Sequence, residues 1–174
     1  MATTDLILQF LWPTSTNSDG RTFQIKQIAE APQDPIELYK FHHPVTGNNT
    51  GVTQIHRKNL ATQVWEPSGH IEWTSAAAAT VYFGGLERVP MRELRRMKKV
   101  SSKSRRFKAN GSEYKWKVAE NGTDIYCVST RSKTVATWSQ EQSTLRVMDR
   151  AEGILDRIVV TCFLNLWMKR INQW

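Results

Sequence analysis

The only long apolar run in the chain extends from Gly153 to Met168, close to the C-terminal end. On a helical period its apolar residues fall on almost every side of the helix. Such a helix must be surrounded by protein, because a surface helix keeps one polar face. The uninterrupted part from Ile158 to Met168 is about half of the roughly 20 residues that cross a bilayer, and it contains Asn165. We therefore predict an enclosed helix and no transmembrane segment.

The rest of the chain is typical of a β protein. Short runs of β-branched and aromatic residues recur between turn signals, and we count about twelve strands. Turn-rich stretches at 13–20 and 42–49 separate the first of them. Asn110-Gly111 gives the strongest hairpin signal, and Pro67-Ser68-Gly69 predicts a second, compact hairpin.

These elements predict one domain over residues 1–174, because no linker is long enough to divide the chain. The fold we expect is mainly β: a single closed or nearly closed antiparallel β-barrel around a buried C-terminal helix at about 153–168. Closure would remove the edge strands that a large sheet leaves open to aggregation.

The positive charge of the chain is concentrated in one segment. The net charge is +8, and ten basic residues against one acid, Glu93, lie between Arg88 and Lys108. The remainder of the chain has 14 basic and 15 acidic residues and is close to neutral. After Pro90, the apolar residues recur every third position, which fits one or two helical turns or a bulged strand about equally well.

This basic segment is the candidate binding site. Phosphate-bearing partners require several converging cations, since each Lys or Arg near an anionic membrane contributes about 1 kcal/mol. The predicted partner is an anionic membrane surface or phosphoinositide headgroup; an acidic protein, a nucleic acid and a solvated loop that aids solubility remain alternatives. The candidate anion-binding or lipid-binding residues are Arg92, Arg95, Arg96, Lys98, Lys99, Lys103, Arg105 and Arg106.

Aromatic residues alternate with bases at Tyr114-Lys115-Trp116-Lys117, a pattern that could stack unpaired nucleotide bases. In a strand, however, alternate side chains point to opposite faces, so the aromatic rings and the lysines are separated. We expect Tyr114 and Trp116 to pack in the core.

The sequence gives no positive sign of catalysis. The four histidines lack a metal-ligand spacing, and neither a Gly-x-Ser-x-Gly elbow nor a phosphate-binding glycine loop is present. We predict no catalytic residues, no metal site and no cofactor, with an enzyme that uses a cavity beside the helix as the less favoured alternative. Cys127 and Cys162 are predicted to be buried, reduced thiols. Asp156 and Arg157 are predicted to cap the helix or pair with a residue at the barrel rim.

The N-terminus lacks a basic region and a continuous apolar region, so no secretory signal is predicted. We expect a cytoplasmic protein that associates peripherally with membranes through its basic segment.

Two stretches, 104–117 and 155–161, together resemble a family of mushroom-forming basidiomycete fungi that is known only as a domain of unknown function. Val81-Tyr82-Phe83-Gly84-Gly85 and Ile71-Glu72-Trp73 also fit this family. More distantly, the chain is similar to the tubby C-terminal domain, the plant LURP-one-related proteins and the phospholipid scramblases. That resemblance implies a barrel of about twelve strands around a helix, and phosphoinositide binding at its surface. It carries over no individual lipid-contacting residue.

Overall fold

The computed structural model describes residues 4–14, 19–29, 32–45 and 50–174, so parts of the two turn-rich stretches lie outside it. The described chain forms one antiparallel sheet of twelve strands and a C-terminal helix. The strands are β1 (Leu6–Leu11), β2 (Phe23–Gln27), β3 (Ile36–His42), β4 (Gly51–Asn59), β5 (Val64–Ser75), β6 (Ala78–Phe83), β7 (Glu87–Pro90), β8 (Arg105–Ala109), β9 (Ser112–Val118), β10 (Ile125–Ser129), β11 (Thr134–Ser139) and β12 (Thr144–Val147).

Two helices accompany the sheet. The short helix α1 spans Met91–Leu94, and the C-terminal helix α2 spans Leu155–Arg170 after a 3₁₀ turn at Asp149–Ile154. The predicted mainly-β chain with a C-terminal helix is confirmed. The α-helix begins two residues later than predicted, because the 3₁₀ turn occupies the residues before Leu155, and it ends two residues later, at Arg170.

The strand order is β7-β6-β5-β4-β3-β2-β1-β12-β11-β10-β9-β8, which places β7 and β8 at opposite edges of the sheet. Among the described residues no ladder joins these two strands, so the closed barrel is not confirmed. The connecting chain instead folds into α1 directly after Pro90. Beyond α1 it makes only an isolated bridge, Arg96 to Arg106, along β8. We call the gap between β7 and β8 the seam.

Helix α2 supplies the centre of the core. Its residues are packed by side chains from distant parts of the sheet: the Phe163 ring lies 5.1 Å from Phe23 on β2 and 5.4 Å from Phe41 on β3. Trp116 Nε1 on β9 donates to Thr161 Oγ1 at 2.8 Å. The α2 residues that are at most 2% exposed are Ile158, Val159, Val160, Thr161, Cys162, Phe163, Leu164 and Asn165. The predicted enclosed helix is therefore confirmed.

The start of α2 is held by ionic contacts. Asp156 accepts hydrogen bonds from the Tyr39 hydroxyl and, at 2.9 Å, from Arg57 Nη1, and Arg157 pairs with Glu87. The predicted pairing at the rim is confirmed. The alternative, in which Asp156 caps the helix, is not confirmed. Ile154 is the N-cap residue, and no side chain makes a capping hydrogen bond.

The compact hairpin predicted at Pro67-Ser68-Gly69 is wrong, because these residues lie within the single strand β5. A register shift between Ile55 and His56 of β4 accommodates the irregularity opposite Pro67. A Cβ at Gly69 would overlap with the Tyr82 carbonyl oxygen of β6. The glycine thus permits a close approach of two strands, which is its other use in sheets besides turns.

The Asn110-Gly111 hairpin is confirmed, with β8 and β9 paired from Ala109 and Ser112. Both turn residues have positive φ, 48° and 76°, as a type I′ turn requires. Cys127 and Cys162 are both buried and free, as predicted.

Candidate anion-binding site

A cavity of about 710 Å³ opens at the seam. Its walls come from α1, the turn between β5 and β6, the first residue of β8 and the C-terminal Trp174. Four arginines are among the residues that line it: Arg88, Arg92, Arg95 and Arg105. The described lining contains no acid, histidine or cysteine. We call this cavity the seam pocket.

Arg105 enters the seam pocket because of strand alternation. It shares the inner face of β8 with Phe107 and Ala109, and it is only 6% exposed. Its Nη1 donates to the carbonyl oxygens of Ser102 at 3.0 Å and Ser104 at 3.1 Å. Burial lowers the pKa of the guanidinium. Arg105 is therefore a buried cation that only neutral carbonyl groups stabilise through hydrogen bonds.

Arg95 follows α1 and reaches the core helix. Its Nε donates to Asn165 Oδ1 of α2 at 2.7 Å, whereas its Nη2 is buried without a hydrogen-bond partner. Desolvation, with the like charge of Arg105 adding to it, lowers the pKa of Arg95 to about 10. The side chain is still charged at neutral pH, and it retains a donor group that an anion would satisfy.

Trp174 lies over the guanidinium groups of both Arg95 and Arg105. The guanidinium carbons of Arg95 and Arg105 are 5.7 and 5.3 Å from its ring centroid, within the range of a cation–π contact. Its Nε1 donates to the Lys103 carbonyl oxygen at 3.1 Å. The indole thus connects the seam pocket to the loop before β8.

Apolar side chains complete the rim of the seam pocket. Met97 and Val100 both line it, and they are 47% and 96% exposed. The exposed residues Lys98 and Lys99 lie between them in the chain. The pocket therefore opens beside a loop that carries both apolar groups and cations.

The eight residues predicted from the sequence do not form one cluster. Arg92, Arg95 and Arg105 line the seam pocket. Arg96 and Arg106 instead approach Glu113 of β9: Arg96 pairs with it, and Arg106 Nη1 lies 3.9 Å from Glu113 Oε1. The three lysines of the set are exposed and make no ion pair within the described ranges; they are Lys98, Lys99 and Lys103.

A second group of cations lies on the outer side of β8 and β9. The pKa of Lys115 is lowered by desolvation and by the nearby charges of Lys117, Arg106 and Lys98. The one positive segment of the sequence therefore contributes to two surfaces. The second surface borders a smaller cavity of about 400 Å³, which Lys103 and Lys117 line, whereas four arginines line the seam pocket.

The sequence-based prediction of the binding site did not include three residues that line or support the seam pocket. Arg88 belongs to the basic segment but precedes the predicted site, and Trp174 follows the apolar helix without any motif. Asn165 did carry a signal, because a polar residue in an enclosed helix needs a hydrogen-bond partner.

The remaining site predictions can be compared with the structure. Trp116 is fully buried, and Tyr114 stacks on Phe107 with centroids 5.5 Å apart, so the predicted core packing of these rings is confirmed. The described residues contain no cluster of three or more His, Cys, Asp or Glu suited to a metal ion. In the same ranges, no helix has the length and apolarity needed to span a bilayer.

Residues 15–170 match the model of a family of unknown function, DUF6593. The X-ray structure of a protein from Arabidopsis thaliana, AT5G01750, is similar to this fold with a TM-score of 0.53. The two share 9% sequence identity, and the match covers 95% of this chain and 93% of the plant chain. At that identity the similarity concerns the fold alone. No curated protein matches the sequence.

Proposed function

The chain belongs to the DUF6593 family of unknown function, and we propose that it is a non-enzymatic binding module for anionic phospholipid headgroups, including phosphoinositides. The observation that carries the proposal is the seam pocket, where four arginines and no acid line a cavity of about 710 Å³. We further propose that the protein is cytoplasmic and reaches membranes peripherally.

Phosphate groups suit this pocket chemically. A guanidinium binds phosphate oxygens through two parallel hydrogen bonds, which gives direction as well as charge. Arg105 is buried and Arg95 half-buried, so both are already positioned, whereas Arg88 and Arg92 are exposed and can adapt. A bound phosphate would supply the counter-charge that the described lining of the pocket does not offer. The cavity also has the usual size of a small-ligand site.

The exposed loop favours a lipid over other polyanions. Met97 and Val100 are apolar side chains beside cations, a combination suited to the boundary between headgroups and acyl chains. The four arginines would contribute about 4 kcal/mol at most before salt screening. That magnitude fits reversible recruitment to a membrane.

The fold resemblance points to the same class of ligand. We propose that α1 occupies the seam in place of a thirteenth strand, so that the sheet behaves as a nearly closed barrel of the tubby type. Supporting contacts join α1 to β6, β7 and β8. Phosphoinositide binding by tubby-type domains is a property of those proteins and supports the proposal only by analogy.

Enzymatic use of the seam pocket has less support. Among the described residues, its lining offers neither a carboxylate nor a histidine or cysteine that could act as base or nucleophile. An acidic protein or a nucleic acid could use the same charges, and equal recovery of the wild type with both vesicles in the experiment below would favour them over lipid.

The test is flotation of the wild-type chain with vesicles of phosphatidylcholine, with and without phosphatidylinositol bisphosphate. The variant Arg88→Ser/Arg92→Ser removes two exposed charges from the seam pocket. The control Arg131→Ser/Lys133→Ser removes the same charge from the turn between β10 and β11. We expect the seam variant to bind phosphoinositide vesicles about tenfold more weakly and the control to bind as the wild type does.

Equal recovery of the wild type with both vesicles would overturn lipid binding. Equal weakening of the two double variants would show that total charge acts, rather than the seam pocket. Release of the protein by soluble inositol trisphosphate would identify the headgroup as the recognised part.

A further inference from the structure

A second cavity, of about 650 Å³, opens where α2 ends. None of its lining residues belongs to the seam pocket. Its walls come from the residues that follow β1, Trp12 and Pro13, from the turn at 122–123, and from the last two turns of α2. We call it the end pocket.

The walls of the end pocket are aromatic. Trp12, Trp138, Phe163 and Trp167 all line it, and the Trp12 and Trp138 rings meet at 88° with centroids 6.3 Å apart. Such a cavity can accept a flat apolar group against ring faces.

The indole N–H groups of these walls are already engaged. Trp12 Nε1 donates to the Gly20 carbonyl oxygen at 3.1 Å, and Trp138 Nε1 donates to Gln140 Oε1 at 3.0 Å. Trp167 Nε1 donates to the Ala76 carbonyl oxygen at 2.7 Å. The rings are thereby held in place, which reduces the ordering cost of binding a ligand.

The rim of the end pocket is positive. Lys169 and Arg170, the last two residues of α2, both line it. Lys169 Nζ donates to the Gly122 carbonyl oxygen at 3.0 Å, which leaves further donor capacity on the ammonium group. The Arg170 guanidinium rests on Gly20, where a Cβ would overlap with it.

The described lining of the end pocket contains no acid, and the carboxylate of Asp19, which precedes Gly20, pairs with Arg21. Asp124 lies near Lys169 but outside the described lining, and its Oδ1 accepts the Gln140 N–H at 2.9 Å. The negative end of α2 is also partly satisfied, because three of its last carbonyl groups accept backbone N–H groups of Ile171, Asn172 and Gln173. The cations therefore set the sign of charge that a ligand would meet.

We infer that the end pocket binds a small hydrophobic anion, with a flat apolar body against the aromatic wall and an acidic group at Lys169 and Arg170. A cationic ligand would meet like charge at the rim. The two pockets share no lining residue, although Lys169 Nζ also lies 5.7 Å from the ring centroid of Trp174. The inference does not rest on headgroup binding.

The test uses two probes of nearly the same shape, anilinonaphthalene sulfonate and its uncharged analogue phenylnaphthylamine. Binding to the full chain is followed by energy transfer from tryptophan to the dye. We expect saturable binding of both probes to the wild type. Lys169→Ala/Arg170→Ala should weaken the sulfonate about tenfold and leave the affinity of the uncharged probe unchanged.

A blocking variant makes the assignment specific. Thr123→Trp places an indole at the exposed rim of the end pocket and should abolish binding of both probes. The control Arg131→Ser/Lys133→Ser should bind both as the wild type does. Failure of the wild type to bind, sulfonate affinity unchanged in the alanine variant, or binding retained in Thr123→Trp would each overturn the inference.

Discussion

The Arg95 guanidinium has one hydrogen-bonded side-chain partner, Asn165, and one buried nitrogen without a partner. Its charge is retained at neutral pH although burial lowers its pKa to about 10. This contact explains why an otherwise apolar helix contains an asparagine. It also couples the seam pocket directly to the core.

Replacing Asn165 by Leu should lower the free energy of unfolding by about 1–3 kcal/mol, because a second buried N–H of Arg95 loses its acceptor. Urea denaturation measures the change. The double variant Arg95→Met/Asn165→Leu should lose less, since both polar partners are then absent. An Asn165→Leu protein as stable as the wild type would contradict this account of the contact.

His43 is a second buried polar side chain with a defined state. Its Nδ1 lies 2.8 Å from Thr53 Oγ1, and its Nε2 lies 3.2 Å from the Thr50 carbonyl oxygen. The Thr50 carbonyl oxygen can only accept, so Nε2 carries the imidazole proton, and Nδ1 of the neutral ring accepts from the Thr53 hydroxyl. That hydroxyl also accepts a hydrogen bond from Trp73 Nε1. Burial, with the charge of Arg21 adding to it, lowers the pKa of His43.

The pH dependence follows from this lowered pKa. His43 in the unfolded chain takes up a proton near its ordinary pKa of 6.5, whereas the folded protein resists protonation until lower pH. Its contribution to stability is therefore complete above pH 6.5 and declines as the pH falls from there through the folded pKa.

We expect His43→Gln, whose amide can make both hydrogen bonds, to show a weaker loss of stability below pH 6.5 than the wild type. The exposed neighbour His42 gives the control. Its charge is the weakest of the influences on the pKa of His43, so His42→Gln should stay closer to the wild-type curve than His43→Gln does. Denaturation by urea across this pH range is the measurement. Identical pH profiles for His43→Gln and the wild type would contradict the neutral, buried state.

At the scale of elements, α2 was the easiest to predict, because a helix that is apolar on every side permits only enclosure. The sequence of strand β8 also indicates which of its side chains face the core. Phe107 and Ala109 face the core, and alternation places Arg105 with them and Arg106 on the other face. The sequence-based site grouped Arg105 and Arg106 by charge alone, and therefore did not separate the inward-facing arginine from the outward-facing one. Gly69 was wrongly assigned to a turn, because glycine is favoured both in turns and where two strands approach each other closely.

The packing of α2 predicts unequal losses along the helix. Phe163→Ala should lower the free energy of unfolding by about 3–5 kcal/mol, because its ring fills the space beside Phe23 and Phe41. Leu166→Ala, at a half-buried position of the same helix, should cost less than half as much. Urea denaturation of both variants measures the two losses. Equal losses in the free energy of unfolding would show that α2 is not enclosed as described.

At the scale of the whole molecule, the decisive feature is the seam. Whether β7 and β8 would pair could not be predicted, because residues 90–97 fit a short helix and a bulged strand equally well. The chain adopts one helical turn and then a single bridge to β8. That path creates the seam pocket and divides the basic segment between two surfaces. A count of charges in the sequence therefore overstated the number that meet in one site.

The most direct test of headgroup recognition at the seam is hydrogen–deuterium exchange of the full chain with and without phosphoinositide vesicles. The account predicts slower exchange in the vesicle-bound protein within residues 91–106, and unchanged exchange in the turn at 130–133. Protection at the turn but not at 91–106, or no protection in a protein shown to be vesicle-bound, would contradict it.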